Sequence, residues 1–293
     1  MSNATPPVSN RPGSAAPKSS RTRLFVGIGL VVVAIIAAAI ILPRLGTDTT
    51  SEPTAGSSAD AAKYTLVTPG TLTIATEGTY KPFSYHDETG ELVGYDVEVS
   101  KAVAEKLGLE VKFQETEWAA IFAGLEGKRF DVIGNQVSIN DEREAQYSLS
   151  DPYSVSPGAL VVSADNTDIT GFDQLTGKKA AQSATSNWFE LATSYGADVE
   201  DVEGWNESVA LLRSGRIDFT LNDKLTVLDY VATEKADDIK IVAETDDPSR
   251  SAFALTKDNA ALTTDINSAL AELSADGTLA EIGEKYFGAD VSK

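Results

Sequence analysis

The sequence has no cysteine, one histidine and one methionine in 293 residues, and only 24 basic side chains against 44 acidic ones. Without cysteine there can be no disulfide, no thiolate metal site, no thiol nucleophile and no lipid-modified cysteine to act as a tether. The one histidine, His86, lies in the turn-forming stretch Tyr-His-Asp-Glu-Thr-Gly and reads as a surface residue. Histidine-paired zinc sites and His-dependent nucleophile triads therefore lack their parts. Neither G-x-x-x-x-G-K-[ST] nor G-x-G-x-x-G occurs, so phosphate cradling has no motif and no cofactor is expected. A net charge of −20 makes nucleic acid a poor partner and fits a well-solvated surface. Paired carboxylates stay open as catalytic candidates in so acidic a chain.

What is present begins with an apolar and glycine run of 19 residues, Leu24 to Leu42, which at about 1.5 Å per residue is long enough to cross a bilayer. Arg11, Lys18, Arg21 and Arg23 precede it without an acid among them, so the positive-inside tendency keeps residues 1–23 in the cytoplasm. A cleaved signal peptide is the rival reading, but its apolar region is usually about 7 to 15 residues and ends near small residues. This run is longer and ends Ile-Ile-Leu-Pro-Arg, which favours a retained single-pass anchor in the cell membrane. Residues 43–63, rich in Ser, Thr, Ala and Gly between Thr47 and Ala62, read as a flexible linker. The part beyond, outside the cytoplasm, holds 18 basic and 41 acidic residues, a balance of about −23.

From Thr71 onward short β-branched runs alternate with helical-period segments, the pattern of an α/β fold. Strands are predicted at Thr71–Thr76, Leu109–Gln114, Phe130–Asn135, Ala159–Ser163, Lys179–Gln182, Val199–Glu203, Ile217–Leu221, Ile239–Val242 and Ala252–Thr256, with helices between them. Asp96–Leu107, Trp118–Leu125, Asn259–Leu273 and Thr278–Tyr286 carry the clearest helical spacing. Two lobes of roughly a hundred residues fit this length better than one large sheet.

Open α/β sheets bind ligands beyond the ends of their strands. One predicted strand runs into Gln136-Val-Ser138-Ile-Asn140-Asp-Glu-Arg143, where a helix capped by Asn140 would bring backbone N–H groups near Arg143, a setting for a carboxylate. Another ends in Asn222-Asp223, an acid suited to an ammonium. Opposite charges on two lobes are what a zwitterion requires. By spacing alone, a surface arginine on a Glu-rich helix and a helix cap are the favoured readings of Arg143 and Asp223.

Several segments, in order, resemble the bacterial solute-binding family 3, the polar amino-acid binding proteins of ABC importers. They include Glu77-Gly-Thr-Tyr80-Lys-Pro-Phe83-Ser-Tyr85, Gly90-Glu-Leu-Val-Gly-Tyr-Asp96, the run Arg129 to Arg143, and Ser150-Asp-Pro-Tyr153. Leu175-Thr-Gly-Lys-Lys179, Gly215-Arg-Ile-Asp218, Ala275-Asp-Gly-Thr-Leu279 and the ending Lys285 to Lys293 continue the match. The resemblance implies a periplasmic-binding-protein type II fold, with two α/β lobes joined by two hinge crossings and a ligand clamped between them. Lobe 1 would comprise 64–155 and 249–293, and lobe 2 156–248.

The same resemblance implies that Arg143 binds an α-carboxylate with Ser138 and Ser186 or Asn187, and that Asp223 binds the α-ammonium beside Gln136. Tyr80 and Trp118 would sandwich the side chain, Glu77 would read it, and Asn135 and Ser183 would line the cleft. Thr185-Ser186 stands where the family often has Gly-Thr, and Lys81, expected to face solvent, replaces a common proline. Glu-Gly-Thr-Tyr and Asn-Gln-Val-Ser-Ile-x-Asp-Glu-Arg look like cystine-binding members, while Glu77 also suits a basic amino acid. The function implied is a monomeric, non-enzymatic binding protein that hands a free amino acid to an ABC importer permease. A cleft enzyme like cyclohexadienyl dehydratase and an amino-acid sensor are the alternatives on this fold.

Overall fold

The computed structural model describes residues 63–293. The expected cytoplasmic tail, membrane segment and nearly all of the linker lie outside the described residues. Among the described residues no helix is long and apolar enough to cross a membrane.

The described chain opens with β1 (Thr71–Thr76), β2 (Thr79–Tyr80), β3 (Ser84–His86), β4 (Leu92–Val93), α1 (Tyr95–Lys106), β5 (Glu110–Glu115) and α2 (Trp118–Glu126). Next come β6 (Val132–Ser138), α3 (Asp141–Gln146), β7 (Ser148–Leu149), β8 (Ser154–Ser156), β9 (Gly158–Ser163), β10 (Lys179–Gln182) and α4 (Asn187–Ser194). It continues through β11 (Asp198–Asp201), α5 (Trp205–Arg213), β12 (Thr220–Asp223), α6 (Lys224–Glu234) and β13 (Ile239–Glu244). β14 (Ser249–Leu255), α7 (Ala260–Ala275) and α8 (Thr278–Phe287) complete it.

The main sheet runs β5-β1-β6-β14-β7, with β1 parallel to both β5 and β6, and β14 antiparallel to β6. A second set repeats the plan: β10 is parallel to β11, a parallel bridge joins Ala180 to Phe219 just before β12, and β12 and β13 flank β9 antiparallel. In both sets, then, parallel strands point their C-terminal ends at one edge, and an antiparallel strand closes the layer. β8 pairs with β14, Val155 opposite Arg250 and Ser156 opposite Ser249, so the two chain crossings between the layers are hydrogen-bonded to each other.

All seven residues of β6 are buried, as expected for a strand covered on both faces. Its sheet packs against α1, which buries Val97, Val99, Val103 and Ala104, and α7, which buries Leu262, Ile266, Ala269, Leu270 and Leu273 at helical spacing. In the second layer Val209 and Leu212 of α5 pack with Ala159, Val161 and Ala181. Each such side chain contributes about 1.5–3 kcal/mol when fully buried. The buried apolar clusters draw either on residues 72–153 with 253–291 or on residues 159–239.

β1 and β10 keep their predicted bounds, whereas β6 and β12 begin two to three residues later than expected and run on through Ser138 and Asp223. The reason is physical: Asn135, Gln136, Ser138, Asn222 and Asp223 are polar yet buried, and polarity alone reads as the end of a strand.

Candidate ligand-binding site

β1 delivers Glu77 to the edge where the parallel strands end, and β6 delivers Asn135, Gln136 and Ser138. Asn135 is a junction: its Oδ1 accepts from Thr76 Oγ1 and from the Glu77 N–H, both at 2.9 Å, while its Nδ2 donates to Glu77 Oε2 at 2.6 Å. Burial pushes the Glu77 carboxyl up to about 7, against the lowering effect of Asn135 and of the Trp118 backbone N–H. Gln136 has φ +50°, a left-handed conformation unusual outside glycine. Asp96 holds it there, accepting from the Gln136 N–H at 2.9 Å and from Nε2 at 2.6 Å. Complete burial raises the Asp96 carboxyl to about 7 despite these bonds.

Asn140 caps α3 as expected, its Oδ1 accepting from the Arg143 N–H at 2.8 Å. Arg143 is not the surface residue that its acidic neighbours allowed, since it is only 6% exposed. Its Nη1 donates to Ser138 O at 2.8 Å and its Nη2 to Thr185 O at 3.1 Å, and the guanidinium carbon lies 5.5 Å from the ring centres of both Trp118 and Phe122. Burial lowers its pKa. Asp223 is 4% exposed and does cap α6, accepting from the Leu225 N–H at 2.8 Å and from Ser156 Oγ at 2.6 Å, with its carboxyl pushed up to about 6 by burial. Among the described residues neither Arg143 nor Asp223 forms an ion pair with a protein side chain.

Two contacts close the cleft between the layers: Tyr80 Oη donates to Asn222 Oδ1 at 2.8 Å, and Arg143 reaches Thr185 O. Lys81, exposed as expected, also lies 3.9 Å from Asp229 across the cleft. Between these contacts sits a cavity of about 390 Å³. Glu77, Tyr80, Trp118, Asn135, Gln136, Ser183, Ser186 and Asn187 line it. Ser138, Arg143 and Asp223 are not among the lining residues. Ser138 spends its carbonyl on Arg143, and its Oγ accepts from Ser249 Oγ, so it orients the guanidinium. Ser186 caps α4 through its Oγ, and Ser183 Oγ donates to Glu203 O at 2.9 Å. Thr185 has φ +64°, a left-handed conformation that glycine adopts without strain.

Sequence reasoning missed Glu117, Gln182, Trp188, Glu203, Trp205, Asn206, Glu207 and Asn222 on the cavity wall. A signal for Trp205 existed. It opens α5 after β11 just as Trp118 opens α2 after β5, and β11 and β5 are equivalent edge strands of the two layers.

The model of the bacterial extracellular solute-binding proteins, family 3, matches residues 72–289. The chain belongs to that family. Its relatives include the L-cystine-binding protein TcyA of Bacillus subtilis, 48% identical over 225 residues that cover 76% of this chain and 84% of TcyA. The L-cystine solute receptor of Neisseria gonorrhoeae, solved in an unliganded open conformation, is 45% identical over 76% of this chain and 95% of the receptor, with a TM-score of 0.54. An ancestral arginine-binding protein bound to arginine is 36% identical over 75% of this chain and 99% of that protein, with a TM-score of 0.70. Shape agrees better with the bound protein than with the open receptor although identity runs the other way. Three contacts, Tyr80 to Asn222, Arg143 to Thr185 and Lys81 to Asp229, span the cleft of this family 3 protein.

Proposed function

We propose that this protein captures a free amino acid, with cystine as the first candidate, and delivers it unchanged to the permease of an ABC importer. The observation that carries this reading is a buried guanidinium and a buried carboxylate, Arg143 and Asp223, on facing layers and neither in an ion pair among the described residues, with Glu190 and Glu142 acting on Arg143 only from beyond contact distance. An unmatched buried charge costs several kcal/mol, and a zwitterion would neutralise both. Arg143, oriented by Ser138 and joined by Ser186 or Asn187, would take the α-carboxylate after exchanging Thr185 O for it. Asp223 and the Gln136 carbonyl would take the α-ammonium. Tyr80 and Trp118 would flank the side chain, Glu77 would read its far end, and Asn135 and Ser183 would complete the wall. The lobes would be residues 64–155 with 249–293 and residues 156–248, hinged at β8 and β14. Helix 24–42 would hold the monomer at the outer face of the membrane.

The cystine-binding relatives support cystine. The four glutamates on the cavity wall favour a basic amino acid as the second reading. A thermal-shift screen of the full-length chain against the twenty amino acids and cystine tests both. A ligand at a hundred times its Kd stabilises the native state by about 2.7 kcal/mol. For a domain of this size that raises Tm by roughly 5–10 °C. Chromatography after incubation should return the amino acid unaltered; conversion to a new product would point to the enzyme reading instead.

A further inference from the structure

The cavity wall is more acidic than the backbone of an amino acid requires. Glu77 and Glu117 line it from one side and Glu203 and Glu207 from the other, with no lysine or arginine among the lining residues. If Arg143 and Asp223 take the two ends of a zwitterion, these acids have no role in holding it. Glu207 has a local explanation: it is the third residue of α5, and its Oε2 accepts at 3.1 Å from the N–H of Glu203, which precedes the boundary residue Gly204. Glu117 is the N-terminal boundary residue of α2. Glu203 is exposed to solvent and has no such local bond. Its backbone is fixed at both ends, by Glu207 and by Ser183 Oγ, but its carboxylate makes no hydrogen bond or ion pair among the described residues. Its charge is felt by Glu77 on the opposite wall and raises the Glu77 carboxyl further.

A second, independent observation bears on the same volume. Trp118 and Trp205 line the cavity from equivalent places in the two layers, each only 9% exposed, and neither indole N–H has a partner in the protein. Indole faces attract cations electrostatically. Two like charges brought together by a closing cleft repel, and a cation between them offsets that repulsion. The carboxylates and indole faces thus suit a cationic group, while the unpartnered indole N–H donors suit an acceptor beside it.

We infer that Glu203, facing Glu77 across the cavity and two residues before Trp205, is a specificity-determining residue that reads a second cationic nitrogen at the far end of the ligand. The inference rests on the reading of this cavity as an amino-acid site and narrows its ligand class. The second nitrogen is either the distal ammonium of a bis-amino acid such as cystine or the side-chain cation of arginine or lysine. Glutamine has neither.

Isothermal titration calorimetry on the full-length chain in mild detergent at about pH 7.5, wild type and Glu203→Gln, against L-cystine, L-arginine and L-glutamine, tests this. In the wild type cystine or arginine binds more tightly than glutamine, and which of the two does so identifies the source of the cation. In Glu203→Gln the preference for that ligand over glutamine falls about fivefold, the scale of a partly screened ion pair. A purely structural defect would weaken all three alike. Glu203→Lys reduces the preference further while the Tm of the protein alone stays within a few degrees of wild type. A preference unchanged in both variants overturns the inference. Failure of the wild type to bind any of the screened amino acids overturns the reading of the cavity itself, and the inference with it.

Discussion

Replacing Arg143 by alanine separates a binding role from a structural one. The guanidinium is 6% exposed, donates to two carbonyls and packs over two aromatic rings. Without ligand, Arg143→Ala loses those bonds and contacts but also removes a desolvated charge. These opposing terms are each a few kcal/mol, so the net change in stability is about 1 kcal/mol, or roughly 2–4 °C in Tm. With ligand the balance is one-sided, because the amino-acid carboxylate would be buried facing no cation. Breaking one half of a buried pair costs about 3–5 kcal/mol. The Kd should therefore rise at least about a hundredfold for every amino acid the wild type binds. Arg143→Lys keeps the charge but loses the two-pronged geometry, so its Kd should rise by about tenfold. Calorimetric titration reads both changes. A Kd for Arg143→Ala within about threefold of wild type would refute the reasoning.

Four further outcomes follow. Asp223, with its carboxyl near 6, must be ionised to hold an ammonium, so affinity should fall as pH drops from about 7.5 to about 5, by up to tenfold per unit below its pKa. Stability without ligand should move the opposite way. Glu77 and Asp96 near 7 and Asp223 near 6 keep protons in the fold that the unfolded chain has released above about pH 4–5. Stability is then lost as pH rises through that window, by about 1.4 kcal/mol per unit for each proton, and a lower Tm at pH 5 than at pH 7.5 would contradict the sign. Thr185→Gly relieves a left-handed β-branched residue and should raise Tm slightly, by about 1 kcal/mol in stability, because glycine's greater chain entropy offsets part of the gain. Asp96→Ala leaves Gln136 Nε2 without its acceptor and the Gln136 N–H with only Tyr153 Oη at 3.3 Å, and denaturant unfolding should show a loss of about 2–4 kcal/mol.

The scaffold was legible wherever local pattern and burial agree. The spacing of Leu262, Ile266, Ala269, Leu270 and Leu273 identified α7, and Asn140 was recognisable as a cap because capping is decided within three residues. The site was legible in part. Arg143 and Asp223 were candidates from their places at strand ends, but only the family resemblance set them above a surface arginine and a helix cap, since the burial of Arg143 is made by Trp118 and Phe122 from a different helix. The pairing of Asp96 with Gln136 spans 40 residues, and no local pattern encodes it. Glu203 and Trp205 were missed because a wall exists only once β11 and α5 meet the first layer across the cleft. Their equivalence to β5 and α2 was nevertheless written in the order of elements.

The most direct test is a crystal structure of the protein grown with whichever amino acid the thermal screen selects. The account predicts the ligand carboxylate about 3 Å from the Arg143 guanidinium, which has left Thr185 O, and the ligand ammonium on Asp223. A ligand bound with Arg143 still on Thr185 O and Asp223 engaged only with Ser156 and Leu225 would contradict it.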